Sequence, residues 1–223
     1  VSATAFVLAA GLGTRLRPLT LGTPKPLLPV AGRPILDHVL DQLRAAGHEE
    51  VVVNAFWLPE QIVAWGAGKP GVTVAVEAPA ILGTGGGLRA ARHLLAERFL
   101  VLNGDVLSDV DLAALWAVDA PAVMALRPQD APVHTPVAMR DGVVAGIRGV
   151  VGEPDGAYHF TGIHALRREV LELVPPDGER CIVRTAYRAL VPTGVVRAIV
   201  HRGRWDDIGT PEAYAAAVAA RAP

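Results

Sequence analysis

Short apolar runs alternate with segments of helical periodicity over the first 126 or so residues, and this alternation limits the chain to few architectures. Ala5 to Ala9 is a continuous apolar run closing on glycines, as expected of a central strand in a parallel sheet covered on both faces. A helix is predicted over Pro34 to Ala46, where Ile35, Leu36, Val39, Leu40 and Leu43 share one face. Pro34 suits its first turn and Gly47 its C-terminal stop. "EVVVNA" reads as a second strand, Pro59 to Trp65 as a short helix, "VTVAVE" as a third strand and Thr84 to Leu95 as another helix. "FLVLNGD" and "AVMAL" continue the rhythm, with "DVDLAALWAV" as the helix between them. The pattern predicts an α/β fold, a Rossmann-like, mostly parallel sheet with helices on both faces. Ligands of such sheets sit beyond the carboxyl ends of the strands.

After Arg127 the rhythm breaks. "VVAGIRGV", "AYHFTGIHAL" and "GVVRAIV" are strand-like, with helices predicted over Arg167 to Val174, over Cys181 to Leu190 and after Pro211. This part is expected to add a lid and edge strands to the same sheet, so residues 1–223 read as one domain with halves 1–127 and 128–223. "RPQDAPVHTP" is the expected mobile loop. A net charge of −1 without charged blocks argues against nucleic acid or a membrane surface as partner, and no apolar run reaches membrane-span length. The N-terminal "VSATAFVLAAG" lacks the basic segment of a secretion signal, and the lone Cys181 suits a reducing, cytoplasmic setting.

An anionic ligand must therefore be caught locally, and the first strand leads into the means to do so. Gly11 and Gly13 let backbone approach a ligand closely and present N–H groups to phosphate oxygens. Arg15, Arg17 and Lys25 follow in a segment stiffened by Pro18, Pro24 and Pro26. It is neither a Walker A loop nor a dinucleotide fingerprint. Lys25 is one of only two lysines beside 19 arginines, which points to use of its compact ammonium.

The stretch "LAAGLGTRLRPLTLGTPKPLLPVAGRPIL" resembles the signature of the sugar-1-phosphate nucleotidylyltransferases, the nucleotide-diphosphate-sugar pyrophosphorylases, over about thirty positions. The resemblance implies that Leu8, Ala9, Ala10 and Gly11 approach the base. It likewise implies that Gly13, Thr14 and Arg15 hold the triphosphate, and that Lys25 sits on the α-phosphate side. Asp105 in "LVLNGDVL" and Asp207 in "GRWDDIGTPEAY" occupy contexts in which the family carries aspartates, and are implied to hold Mg²⁺. Asp206 is then a solvated neighbour, and Asp109 and Asp111 are turn or cap residues. By the same resemblance, Gly83, Thr84, Gly85 and Gly86 of "LGTGGGLRAA" are implied to pack beside the base and ribose, with Thr84 also suited to cap the following helix. Asn103, Glu153, Thr161 and Gly162 are the implied sugar contacts. The halves thus become a nucleotide-binding and a sugar-binding half.

One departure stands out. Many relatives grip the sugar phosphate with the lysine of a Glu-Lys-Pro, whereas here Glu153-Pro154 has no lysine, leaving Arg180 and Arg184 as candidate replacements. No histidine shows metal-ligand spacing and no nucleophile motif is present. The implied reaction is attack of a sugar 1-phosphate on a nucleoside triphosphate, releasing pyrophosphate, by a monomer or small homo-oligomer. The likeness extends to the N-acetylmuramate-1-phosphate uridylyltransferases of cell-wall recycling, implying UTP and N-acetylmuramate 1-phosphate. GTP-dependent mannose- or heptose-1-phosphate guanylyltransferases are the alternative, and a non-catalytic nucleotide or sugar-nucleotide sensor is an alternative of another class.

Overall fold

A computed structural model describes residues 2–129 and 134–221. From β1 (Ala3–Leu8) the chain passes through two single 3₁₀ turns, Thr14–Leu16 and Lys25–Leu27, to a small ladder of β2 (Pro29–Val30) and β3 (Arg33–Pro34). Then come α1 (Ile35–Ala45), β4 (Val51–Ala55), α2 (Pro59–Ala67), β5 (Val72–Val76) and α3 (Gly83–Ala90). β6 (Leu95–Asn103), β7 (Val106–Ser108), α4 (Leu112–Ala117) and β8 (Ala122–Pro128) complete the first half. The second half holds β9 (Pro136–Arg140), β10 (Val143–Ile147), β11 (Val151–Gly152) and β12 (Tyr158–Arg167). A 3₁₀ segment Arg168–Leu173 and a π turn Val183–Tyr187 lead to α5 (Arg188–Leu190), β13 (Val196–Val200), β14 (Trp205–Asp207) and α6 (Pro211–Ala219).

The main sheet runs β11-β10-β13-β8-β12-β6-β1-β4-β5, with β9 pairing β10 and β12. The β6-β1-β4-β5 half is parallel, as its β-α alternation predicts. β12 enters antiparallel between β6 and β8, so the complete sheet is mixed. Its side chains alternate between two cores. Ala5, Val7, Val51, Val53, Leu100 and Leu102 pack on the face covered by α1, α2 and α4, and Phe6, Val52, Phe99 and Val101 on the face that carries Leu88 of α3. Both phenylalanines are fully buried, and truncating either to alanine costs about 3–5 kcal/mol. No helix among the described residues is long and apolar enough to cross a membrane.

Three predicted helices differ. The Thr84 to Leu95 segment ends as α-helix at Ala90, because Leu95 is already paired with Ala3 in the sheet. Arg167 to Val174 is a 3₁₀ segment. In Cys181 to Leu190 the Thr185 hydroxyl donates to the Cys181 carbonyl (2.8 Å) and the Tyr187 N–H reaches five residues back to Ile182 (3.1 Å), widening the helix to a π turn. That turn sends the buried Tyr187 hydroxyl to His164, 2.7 Å away. In the expected mobile loop, residues 130–133 lie outside the described residues.

Candidate active site

The site forms where β1 and β6 end. Their register sets Leu8 opposite Asn103, and the Gly104 N–H donates to the Leu8 carbonyl (2.8 Å), so Asp105 emerges beyond the sheet edge. A side chain at Gly104 would begin 2.8 Å from that carbonyl. The buried Lys25 ammonium contacts the Asp105 carboxylate. Asp207 arrives from the far end of the chain because β14 pairs antiparallel with β7, setting it opposite Val106, while the Ile208 N–H donates to the Asp105 carbonyl (3.0 Å). Strand alternation sends Asp206 the other way, onto Arg221 at 2.8 Å. Asp111 caps α4 by accepting the Ala114 N–H (2.8 Å). Asp207 titrates above the usual carboxylate range: burial removes water from it and Asp105 repels its charge, with Lys25, Arg15 and His134 opposing in part. The Arg15 guanidinium lies over the turn after Asp207, where a methyl on Gly209 would come within 3.0 Å of it.

Beside this cluster a cavity is lined by Leu8, Ala10, Gly11, Gly83, Thr84, Asn103 and Asp105, with Asn54, Glu77 and Ile81. Its first loop is fixed from behind. Asn54, buried in β4, accepts the Ala9 N–H (2.6 Å) and donates to Glu77 (2.7 Å), whose other oxygen accepts the Leu82 N–H (2.6 Å). Gly13 takes φ 62°, and its carbonyl accepts the Thr20 hydroxyl (2.7 Å). In the second glycine turn only Gly83 and Thr84 border this cavity. The N–H groups of Gly85 and Gly86 donate to the Arg180 carbonyl (2.8 and 3.1 Å), and the Thr84 hydroxyl accepts from Ile182 (3.0 Å) instead of capping its own helix. Gly85 and Gly86 are thus spent on packing.

The groove continues past Asn103 and Asp207 to Thr161, Gly162, Phe160, His134 and Trp205. Gly162 has φ 80° and a side chain there would meet Asn103 Nδ2 at 2.3 Å. The Thr161 hydroxyl donates to the Ala125 carbonyl (2.8 Å), so that residue presents its backbone to the groove. His134 stacks on His159 at 4.3 Å and meets Trp205 edge-on, forming an aromatic wall. His164 is kept neutral, its pKa pushed down to about 3 by burial.

A family model described as a MobA-like NTP transferase domain matches residues 5–170. The chain belongs to that family. It is 36% identical to an N-acetylmuramate alpha-1-phosphate uridylyltransferase from Neisseria meningitidis, covering 92% of this chain and 93% of the relative. It is also 36% identical to a mannose-1-phosphate guanylyltransferase from Mycobacterium tuberculosis, covering 94% of this chain but 62% of the relative's length. Among solved structures, a UDP-glucose pyrophosphorylase from Acinetobacter baumannii superposes with a TM-score of 0.80 at 20% identity, covering 98% of this chain and 92% of that one. HddC from Yersinia pseudotuberculosis superposes with a TM-score of 0.77 at 24% identity over 98% and 99%. The superpositions show the fold, and the family model with the two relatives at 36% identity shows an enzyme of the sugar-1-phosphate nucleotidylyltransferase class.

In this nucleotidyltransferase two expected contacts fall elsewhere. Glu153 lines neither cavity and instead pairs on the surface with Arg140 of β9 (2.8 Å). The Arg180 side chain lines a separate cavity on the far side of α3 and does not reach the sugar groove. Arg184 borders an extension of the groove, with Arg148 and His134. Asn54, Glu77, His134 and Trp205 were not anticipated. A polar Asn inside the apolar "VVVNA" and a Glu closing "VTVAVE" are the signals that mark the first two.

Proposed function

We propose that the enzyme transfers a uridylyl group from UTP to N-acetylmuramate 1-phosphate, releasing pyrophosphate. The observation that carries this reading is the convergence of Lys25, Asp105, Asp207 and Arg15 between two adjoining cavities, one bordered by glycine-rich backbone and one by polar and aromatic side chains. A sugar-phosphate oxygen attacks the α-phosphorus in line, a new P–O bond forms, and the bond to the β-phosphate breaks. The nucleophile is already anionic, so no general base is needed, and catalysis consists of positioning and charge neutralisation. Arg15 holds the departing pyrophosphate, and Lys25 offsets charge gathering on the α-phosphate.

The donor set fits Mg²⁺. Asp207 is half-buried and also faces the like charge of Asp105, an arrangement that a hard divalent cation would relieve. Asp105 and Asp207 would hold it, and when bound it neutralises phosphate charge. Lys25 must then share Asp105 with the metal.

Support for UTP and N-acetylmuramate 1-phosphate comes from the relative matched over nearly its whole length; a cytoplasmic role in cell-wall recycling rests on the sequence resemblance alone. A guanylyltransferase acting on mannose 1-phosphate is the second reading, favoured by an equal identity to such an enzyme. Pyrophosphate release with UTP, deoxythymidine triphosphate and GTP against a panel of sugar 1-phosphates decides between them. Preference for UTP is expected, with leakage to deoxythymidine triphosphate. A GTP preference overturns the first reading, and no turnover with any pair overturns both.

A further inference from the structure

A second polar cavity, of about 490 Å³, lies behind α3, away from the catalytic groove. Three segments build it: α3 with the Leu82 that precedes it, the 3₁₀ turn Arg92–Leu94, and the loop before Cys181. Arg89, Arg92, His93 and Arg180 line it together with Pro175 and Pro176, and no carboxylate is among the lining residues. One of the three arginines has structural work. Arg89 donates to the carbonyls of Leu171 (3.3 Å) and Val174 (2.8 Å), and the exposed Glu172 stands 3.8 Å from it. Arg92, His93 and Arg180 make no side-chain hydrogen bond or ion pair among the described residues. The Glu179 carboxylate beside Arg180 is engaged elsewhere, by the Cys181 N–H and Arg184. The prolines stiffen the wall that faces the arginines.

Arg92 is exposed and Arg180 half-buried, both with donors free around one concavity, and guanidinium groups match the oxygens of a phosphoryl group. We propose that this cavity binds a small phosphoryl dianion, free or carried as a phosphate monoester, and that its occupancy is sensed at the nucleotide site. The link is short. Arg180 lays its side chain across Gly86, where a methyl would meet its Cδ at 3.1 Å, and its carbonyl accepts the N–H groups of Gly85 and Gly86. The preceding residues of the same turn, Gly83 and Thr84, border the catalytic cavity. An anion that draws the Arg180 side chain therefore acts on a residue whose backbone holds the nucleotide wall. This second part rests on the reading of that cavity as the nucleotide site, whereas the binding itself does not.

The test uses the full chain, labelled with ¹⁵N and titrated separately with inorganic phosphate and with glycerol 3-phosphate, following the amides of Arg92, His93 and Arg180. Saturable shifts are expected. The double substitution Arg92→Ala/Arg180→Ala keeps the Arg180 carbonyl and should weaken binding at least about tenfold, the loss of one or more charge-assisted hydrogen bonds. Shifts at Gly11 to Arg15, which report phosphate in the catalytic groove, should be unaffected. Tighter binding of the ester assigns a phosphorylated metabolite, and tighter binding of phosphate assigns the free ion. Absence of saturation, shifts confined to Gly11 to Arg15, or undiminished binding by the double variant overturns the site. Saturation with the better ligand should also change the nucleotide KM of the wild type and leave that of the double variant unchanged. An unchanged wild-type KM in an active enzyme overturns the coupling, while absence of turnover refutes the catalytic reading and leaves the titration to judge the site.

Discussion

Replacing Asn54 by aspartate changes one NH₂ group into an oxygen and little else. In the wild type that NH₂ donates to Glu77 at 2.7 Å, and both residues are buried. The variant puts two carboxyls in that contact. With charge centres about 4 Å apart, two ionised groups would repel by about 4 kcal/mol at an effective dielectric constant of 20. The pair avoids this by keeping one proton, which restores a hydrogen bond but costs about 1.4 kcal/mol for each pH unit above the ordinary carboxylate pKa, up to the repulsion limit. In the variant the shared proton is held more tightly in the folded than in the unfolded chain. Stability is therefore retained below the ordinary carboxylate pKa and lost as pH rises towards the raised folded value. Between pH 5 and pH 7 the variant should lose about 3 kcal/mol relative to wild type, a further fall in Tm of roughly 6–12 °C for a chain of this size. Since Asn54 also accepts the Ala9 N–H, the nucleotide KM should rise over the same range. Thermal melts and KM at both pH values check this. Parallel pH profiles for variant and wild type would refute the placing of the Asn54 NH₂ against the Glu77 carboxyl.

Three further outcomes follow from the site. Asp207→Asn should nearly abolish turnover yet raise Tm at neutral pH without metal, because the Asp207 carboxylate pays for burial and for Asp105 in the folded chain, whereas Asp206→Asn should leave the rate almost unchanged; equal losses from both would reverse the assignment. The sign of the stability effect is set by the raised folded pKa, so the wild type's contribution from Asp207 falls as pH rises through that value, and the Tm gain of the asparagine variant should vanish at acid pH. Lys25→Ala should lower the single-turnover chemical rate by about a hundredfold, about 3 kcal/mol of transition-state stabilisation, with a smaller effect on nucleotide binding. Gly162→Ala, at φ 80° and with its new methyl directed at Asn103, should destabilise by about 1–3 kcal/mol and raise the KM for sugar phosphate more than that for nucleotide.

The parallel half of the sheet was legible because its signals are local: a strand ends at glycine, a helix carries one apolar face, and the next strand follows. Lys25 was legible in composition, and the structure buries it against Asp105. Legibility stops where a residue's partner lies far along the chain. Thr161 looks like a sugar contact until Ala125, on the neighbouring strand, takes its hydroxyl. Glu153 pairs on the surface with Arg140, and Gly85 and Gly86 are claimed by Arg180, which follows them by more than ninety residues. The antiparallel entry of β12 is likewise a long-range event that local periodicity does not encode.

The two aspartates show how the fold brings such distant residues to one point. Asp105 and Asp207 lie 102 residues apart in sequence and meet only because β7 and β14, three residues each, form a ladder outside the main sheet. So short a ladder is weak alone. It is anchored at both ends: the Trp205 indole N–H donates to the Thr161 carbonyl (2.9 Å), and the fully buried Ile208 follows Asp207 into the core. The ladder must hold two like charges together against their repulsion, and Lys25 supplies the nearest compensation from a third segment, fixed between Pro24 and Pro26. The two carboxylates are thereby held close together, with Lys25 the nearest cation, as a site that would hold a divalent metal requires. The outward turn of Asp206 onto Arg221 keeps its own carboxylate from adding to the repulsion.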